Sequence, residues 1–290
     1  MSRWSESARQ AGRIGFVPTM GCLHAGHLAL VRAARRRCDK VVVSVFVNPM
    51  QFGPSEDFRR YPRTPARDRR LLQAEGVDVL FAPRPGGMYP EGFSTFVEVT
   101  GLTDGLCSRW RPGHFRGVTT IVAKLFAVVR PHVAVFGQKD AQQAQAIRRM
   151  ARDLDLGVRV VVIPTVRESD GLALSSRNRY LSSSERLQAP VLFEALTLCR
   201  RQVADGERSV ARLRRKMLAL IGRAKLARVQ YLEFVDADRL EPVRRVDGRV
   251  LVALAVHFGG TRLIDNVLLN AGADGRPMHR LTSRAGRLEV

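Results

Sequence analysis

Ile14-Gly15-Phe16-Val17-Pro18-Thr19-Met20-Gly21-Cys22-Leu23-His24-Ala25-Gly26-His27-Leu28 runs an apolar strand into a glycine-bearing loop and then into a helix. Ile14–Val17 does not alternate in polarity, which fits a strand covered on both faces. From Leu28 to Arg37 the apolar spacing turns helical. The same grammar then repeats. Val41–Val47, Val77–Phe81, Val133–Phe136 and Val158–Ile163 read as further buried strands. Ala66–Glu75, Val118–Arg130 and Ala141–Leu154 read as the helices between them. Repeated βαβ units predict an α/β fold over residues 1–165, a Rossmann-like, doubly wound parallel sheet with ligands at the carboxyl ends of its strands.

Beyond Pro164 the pattern changes, and a boundary is expected near Val166. Ser182-Ser183-Ser184-Glu185 offers N-cap chemistry for one long helix to about Val203, and Val210–Lys225 follows the turn at Gly206. Gln230–Val235, Val250–Phe258 and Arg262–Leu269 read as strands, with Gly259-Gly260 as a hairpin turn. Residues 166–270 are thus expected to form a second, smaller α+β domain, and residues 271–290 a frayed, basic tail.

Bulk properties exclude more than they select. No apolar run approaches the roughly 20 residues needed to span a bilayer, and Met1–Ala11 has no apolar signal segment, so a cytoplasmic location is expected. The four cysteines (Cys22, Cys38, Cys107, Cys199) form no C-x-x-C pair and suit neither zinc nor redox chemistry. The formal net charge is +21, yet only five of the 48 basic residues are lysines, and the arginines spread from Arg3 to Arg287. No stripe or aromatic-interleaved platform gathers them, so nucleic acid is not the expected partner.

Chemistry concentrates in loops that follow strands. His24 and His27, three apart on an opening helical turn, project to one side, where a helix N-terminus suits phosphate oxygens. Gly21 and Gly26 would let a nucleotide approach the backbone. Gln51, in the Asn48–Phe52 loop after the second strand, offers both a donor and acceptors to a polar substrate. Met20, Met50 and Phe52 would wall it with apolar surface, or belong to the core. Gly137-Gln138-Lys139-Asp140 follows the strand ending at Phe136: Lys139 suits phosphate charge and Asp140 a ribose. The plainer reading of Lys139 and Asp140 is a solvated pair at a helix start, and that of Leu174-Ser175-Ser176-Arg177 is a serine-rich linker with one arginine.

A resemblance narrows these alternatives. The H-x-G-H element is similar to the signature of the nucleotidylyltransferase superfamily, which includes class I aminoacyl-tRNA synthetases. More narrowly, Pro18–His27, Phe46–Phe52, Tyr61–Thr64, Arg111–Val118, Phe136–Gln143, Pro164–Glu168 and Ser175–Leu181 resemble the pantothenate synthetase (pantoate–β-alanine ligase) family, in the expected order from about Gly15 to Asn270. The resemblance implies an ATP-dependent condensation of (R)-pantoate with β-alanine through a pantoyl adenylate, releasing AMP and pyrophosphate.

It implies site residues as well. ATP would meet Met20, Gly21, Cys22, Leu23, His24, Ala25, Gly26 and His27, then Gly137, Gln138, Lys139 and Asp140, and finally Val166, Leu174, Ser175, Ser176 and Arg177. Gln51 and Gln143 match the family's pantoate-binding glutamines, with Pro18, Met20 and Asn48 beside them. His24, His27, Lys139 and Arg177 would carry catalysis, His27 either as a proton donor to the leaving phosphate or purely as a hydrogen-bond donor. Mg²⁺ is expected to bridge phosphate oxygens without a protein metal cage, and the family implies a homodimer. Two departures stand beside Lys139: the family commonly reads Gly-Glu-Lys-Asp-Tyr-Gln-Gln, whereas this chain has Gln138 and Ala141. Rival readings are adenylyl transfer to a phosphate acceptor, nucleic-acid binding on the same scaffold, and a non-catalytic relative.

Overall fold

The computed structural model describes residues 1–54 and 56–271. In chain order the elements are α1 (Ser2–Ala11), β1 (Ile14–Thr19), α2 (Ala25–Arg35), β2 (Lys40–Val45), α3 (Pro65–Ala74), β3 (Val79–Phe81), α4 (Pro85–Met88), α5 (His114–Val129), β4 (Val133–Gly137), α6 (Ala141–Asp153) and β5 (Arg159–Ile163). There follow α7 (Ser183–Gln188), α8 (Val191–Ala204), α9 (Val210–Ile221), β6 (Ala227–Asp236), β7 (Gly248–Phe258) and β8 (Thr261–Ala271). Short 3₁₀ turns cover Pro49–Gln51, Leu106–Trp110, Gln138–Asp140 and Ser176–Tyr180.

Five parallel strands form the first sheet in the order β3-β2-β1-β4-β5. Progression runs one way from β1 and the other way from β4, so the crevice at their carboxyl ends is the switch point where such folds bind ligands. Helices cover both faces, which is why Val41–Val43 and Val133–Val135 are uninterrupted apolar runs with almost no exposure.

The antiparallel sheet β6-β7-β8 is also covered on both sides. Val250, Val252, Leu254, Val256 and Phe258 pack with α8 and α9, while Leu251 and Ala253 point the other way, into the core of the parallel-sheet layer. Period-two side-chain direction makes β7 the shared seam of two cores.

Three details differ from expectation. The single helix expected from Ser182 to Val203 is two, α7 and α8, separated at Ala189-Pro190 because proline lacks the N–H that helix continuation needs. Helix α1 was not anticipated: its few apolar side chains hide a segment that buries Ser5 and Ala8, with Ser5 Oγ donating to Val128 O at 3.2 Å. The tail read at 271–290 begins with a strand residue, Ala271, paired with Gly248, and its remainder lies outside the described residues. Exposed arginines are distributed among separate ion pairs, such as Arg35–Asp78, Arg212–Glu207 and Arg249–Asp238. Among the described residues no helix is long and apolar enough to cross a membrane.

Candidate active site

A cleft opens at the switch point. One wall comes from the loop after β1 and the start of α2 (Pro18, Met20, His24, Gly26, His27), another from the turn after β4 (Gly137, Lys139, Asp140). Val166, Leu174, Ser175, Ser176 and Arg177 close it from the segment following β5, and Gln51 and Gln143 also line it.

The loop after β1 owes its shape to a residue sequence reading missed. Asp68, buried in the first turn of α3, accepts from Cys22 N and Leu23 N at 2.9 Å each and from Thr64 Oγ1 at 3.0 Å. Those two N–H groups are therefore committed to protein, and Cys22 and Leu23 lie behind the cleft rather than on it, contrary to the expected direct contacts. Gly21, at φ +81°, makes the turn; a β-carbon there would meet Val45 and Asp68. Neither Gly21 nor the exposed Ala25 reaches the cleft wall. An acid in a helical first turn looks like ordinary dipole complementation, so Asp68 carried no distinctive signal.

His24 and His27 form a reciprocal cap on α2. His24 Nδ1 accepts from Gly26 N at 3.2 Å and His27 Nδ1 accepts from His24 N at 3.3 Å, with the ring centroids 4.0 Å apart. Each ring spends its Nδ1 lone pair on backbone, so each is neutral with its proton on Nε2. Burial, then the charge of Lys139, pushes His24 down to about 4. Burial, then His24 and Lys139, pushes His27 down to about 3. A β-carbon on Gly26 would sit 2.9 Å from the His24 ring and 3.7 Å from Leu174 Cβ, so this glycine serves ring packing and loop approach as much as ligand access.

Opposite, Asn48 is almost fully buried. Its Nδ2 donates to Gln51 Oε1 at 3.2 Å and Gly117 O at 3.0 Å, and its Oδ1 accepts from Tyr89 Oη at 2.7 Å and Met50 N at 3.3 Å. Asn48, expected against the substrate, lines the cleft, and with every polar group of its amide committed to protein it also orients Gln51. Among the described residues Gln51 Nε2 has only Met20 Sδ, at 2.9 Å, a weak acceptor that a better one can displace. Gln51 O is held by Arg111 and by His114 Nδ1 at 2.8 Å, and burial, then Arg111, pushes His114 down to about 4. Gln143 lines the cleft, and its side chain makes no hydrogen bond to the described residues.

The Lys139 turn is pinned from the other sheet. Asn266 on β8 donates through Nδ2 to Gln138 O and Lys139 O, while its Oδ1 accepts from Gln138 Nε2 at 3.0 Å. Gln138 thus turns away from the cleft, contrary to the expected ATP contact, because its amide pairs with another amide. Beside Asn266, buried Asp265 holds Arg167 through two bonds of 2.6 and 2.9 Å, and Arg167 Nη1 also donates to Gly171 O, fixing the segment that leads to Leu174–Arg177. Adjacent polar residues inside an otherwise apolar strand were the signal available for this pair.

In that last loop, Ser175 Oγ accepts from Arg177 N at 3.2 Å, leaving its hydroxyl proton to donate. Ser176 Oγ lies 3.1 Å from Tyr61 Oη. Arg177, expected to be open to phosphate, is bidentate on Asp57 at 2.8 and 3.1 Å. Thr165 Oγ1, on the cleft wall beside Val166, is enclosed and lacks a partner among the described residues.

Among the described residues Asp140 is the one acidic side chain lining this cleft, and no group of three His, Cys, Asp or Glu residues suits a metal. That donor set fits a hard cation carried mainly on phosphate oxygens, and no cation held by the protein alone.

A doubly wound sheet with neutral imidazoles, a lysine and a serine–arginine loop converging at its switch point defines an α/β enzyme built for a small, multiply polar ligand. The chain belongs to the pantoate–β-alanine ligase family, whose model matches residues 1–268, and it is a ligase of that family. It is 57% identical over 270 residues, 93% of this chain and 96% of the relative, to the pantothenate synthetase of Heliobacterium modesticaldum. Against that of Thermotoga petrophila it is 53% identical, with the same coverage. Among solved structures, pantothenate synthetase from Thermus thermophilus superimposes with a TM-score of 0.87 at 50% identity, covering 91% of this chain and 96% of that one. A pantoate–β-alanine ligase from Francisella tularensis, complexed with β-γ ATP and β-alanine, gives 0.74 at 34% identity, covering 92% and 95%.

Proposed function

We propose that the chain activates (R)-pantoate with ATP as a pantoyl adenylate, releasing pyrophosphate, and then passes the acyl group to β-alanine, releasing AMP and pantothenate. The observation that carries this reading is the meeting of two chemistries in one cleft. Neutral imidazoles, Lys139 and Ser175–Arg177 supply phosphate-compatible groups, while Gln51 and Gln143, the amides least committed to protein, line the same cleft and suit a polar acid. The complex of the Francisella tularensis relative supports ATP and β-alanine as co-substrates.

A pantoate oxygen would attack the α-phosphorus in line, with Gln51 and Gln143 orienting the acid and Met20 and Pro18 providing the apolar wall. The Nε2–H groups of His24 and His27, Lys139 Nζ and the Ser175 hydroxyl would hold the growing charge on pyrophosphate. Neutral rings favour hydrogen bonding over proton donation for His27. Arg177 would join them by exchanging Asp57 for phosphate, and the Val166 backbone would flank the adenine. Mg²⁺, carried on the phosphates, would supply further charge neutralisation. No protein nucleophile is required; positioning and electrostatics do the work. Residues 1–165 and 166–270 would act as core and lid, and a homodimer, testable by solution mass, is part of the same reading.

Pyrophosphate–ATP exchange, with Mg²⁺ and without β-alanine, tests it. Exchange dependent on pantoate is expected; ATP binding with no such exchange would sink the adenylate half-reaction.

A further inference from the structure

A second recess opens off the cleft, and the two share a wall made by Met20, Gln51, Lys139, Asp140, Gln143, Ser175 and Arg177. Its far side is the sheet face carrying Tyr231 on β6 and Arg262 on β8. Three arginines line it. Arg111 is bidentate on Glu56 and Arg177 on Asp57, so both charges are matched by carboxylates. Arg262 differs. Its Nε donates to Gln230 Oε1 at 2.8 Å, its Nη2 lies 3.5 Å from Cys107 Sγ, and its guanidinium carbon lies 6.0 Å from the Tyr231 ring centroid. Among the described residues no carboxylate pairs with it. Neutral partners fix the direction of a guanidinium without cancelling its charge, and a half-buried cation left in that state attracts an anion of planar, forked shape.

Resting on the function proposed above, we infer that Arg262 receives the carboxylate of the amine substrate, whose amine end extends toward the shared wall. Arg262 and Asn266 sit four residues apart on the same face of β8, roughly 13 Å along the strand, and Asn266 is the residue that holds the Lys139 turn. The recess thereby selects an amine that carries a carboxylate at a fixed distance, and keeps that carboxylate away from the phosphates. Glu56 and Asp57 already occupy the two other arginines, so an incoming carboxylate has one unmatched guanidinium to meet.

Three measurements on the full chain test the assignment: pantoate-dependent exchange without amine, KM for β-alanine, and capture of the acyl adenylate by hydroxylamine, an amine without a carboxylate. Arg262→Gln is expected to leave exchange and hydroxamate formation unchanged while raising KM for β-alanine about ten- to hundred-fold, the worth of a charge-assisted contact. Arg262→Lys, keeping the charge without the fork, is expected to fall between. An unchanged KM for β-alanine in Arg262→Gln overturns the assignment. Parallel loss of all three activities overturns it too, by making Arg262 a structural residue. Absence of exchange in the unsubstituted chain is instead the failure of the proposed function, and it is seen before any variant is made.

Discussion

Asn266 donates through one amide nitrogen to the main-chain oxygens of Gln138, at 2.9 Å, and Lys139, at 3.0 Å, so a strand of the small sheet holds the turn bearing the cleft's lysine. Asn266→Ala leaves two carbonyls without that donor, at a cost of about 1–3 kcal/mol. The melting temperature should fall by only a few degrees, while pyrophosphate exchange falls about ten- to hundred-fold because Lys139 loses its fixed position. Equal exchange rates in variant and parent would show that the turn holds itself.

Lys139→Ala removes the charge itself. Exchange is expected to drop about 10²–10³-fold, the scale found when one preorganised donor is removed, with the thermal transition unmoved. Near-normal exchange would take Lys139 out of the mechanism.

The histidine pair makes stability depend on acidity. Folding lowers His24 to about 4 and His27 to about 3 from an ordinary 6.5, and His114 to about 4. Below pH 6.5 the unfolded chain binds more protons than the folded one, so stability is full above that value and declines as pH falls toward 4 and 3. Urea midpoints across this window should show the decline, and His27→Gln, which cannot titrate, should make it shallower. His27→Gln keeps an N–H donor and should retain far more exchange than His27→Ala. Equal loss in the two would point to proton transfer by the ring.

Asp57 competes with any anion for Arg177. Asp57→Asn is expected to lower KM for ATP by up to about five-fold, the worth of a partly exposed ion pair. A raised KM would mean that Asp57 orients Arg177 for phosphate instead of opposing it.

Gly117 is where α5 passes the turn bearing Gln51: a β-carbon there would lie 2.3 Å from Met50 O. Gly117→Ala must shift backbone, at about 1–3 kcal/mol or more, and should raise KM for pantoate more than KM for ATP. Comparable changes in both would place the damage elsewhere.

Much of this was legible in the sequence. Uninterrupted apolar strands and helical spacing pointed to the doubly wound sheet because burial on two faces leaves a plain mark, as at Val41–Val43 and Val133–Val135. His24, His27, Lys139 and Gln51 stood out because they follow strands directly. What stayed hidden acts across long separations. Asp68 shapes a loop more than forty residues away, Asp57 meets Arg177 across 120, and neither spacing repeats in a pattern. Gln138 was misplaced for a related reason: its residue type suits a ligand, but an amide can equally be spent on another amide. Pro190 stands inside the long helix expected from Ser182, and its missing N–H was the available sign of the break.

The Gln138–Asn266 pairing bears on how chimeras of this enzyme must be cut. A crossover between the two sheets that brings glutamate to position 138 sets a carboxylate against Asn266 Oδ1. To relieve that repulsion the Asn266 amide must flip, which turns its oxygen toward the carbonyls of residues 138 and 139. Transplanting the parallel-sheet half alone therefore unsettles the lysine turn, whereas moving β8 together with its loop partners carries the lock and its key in one piece.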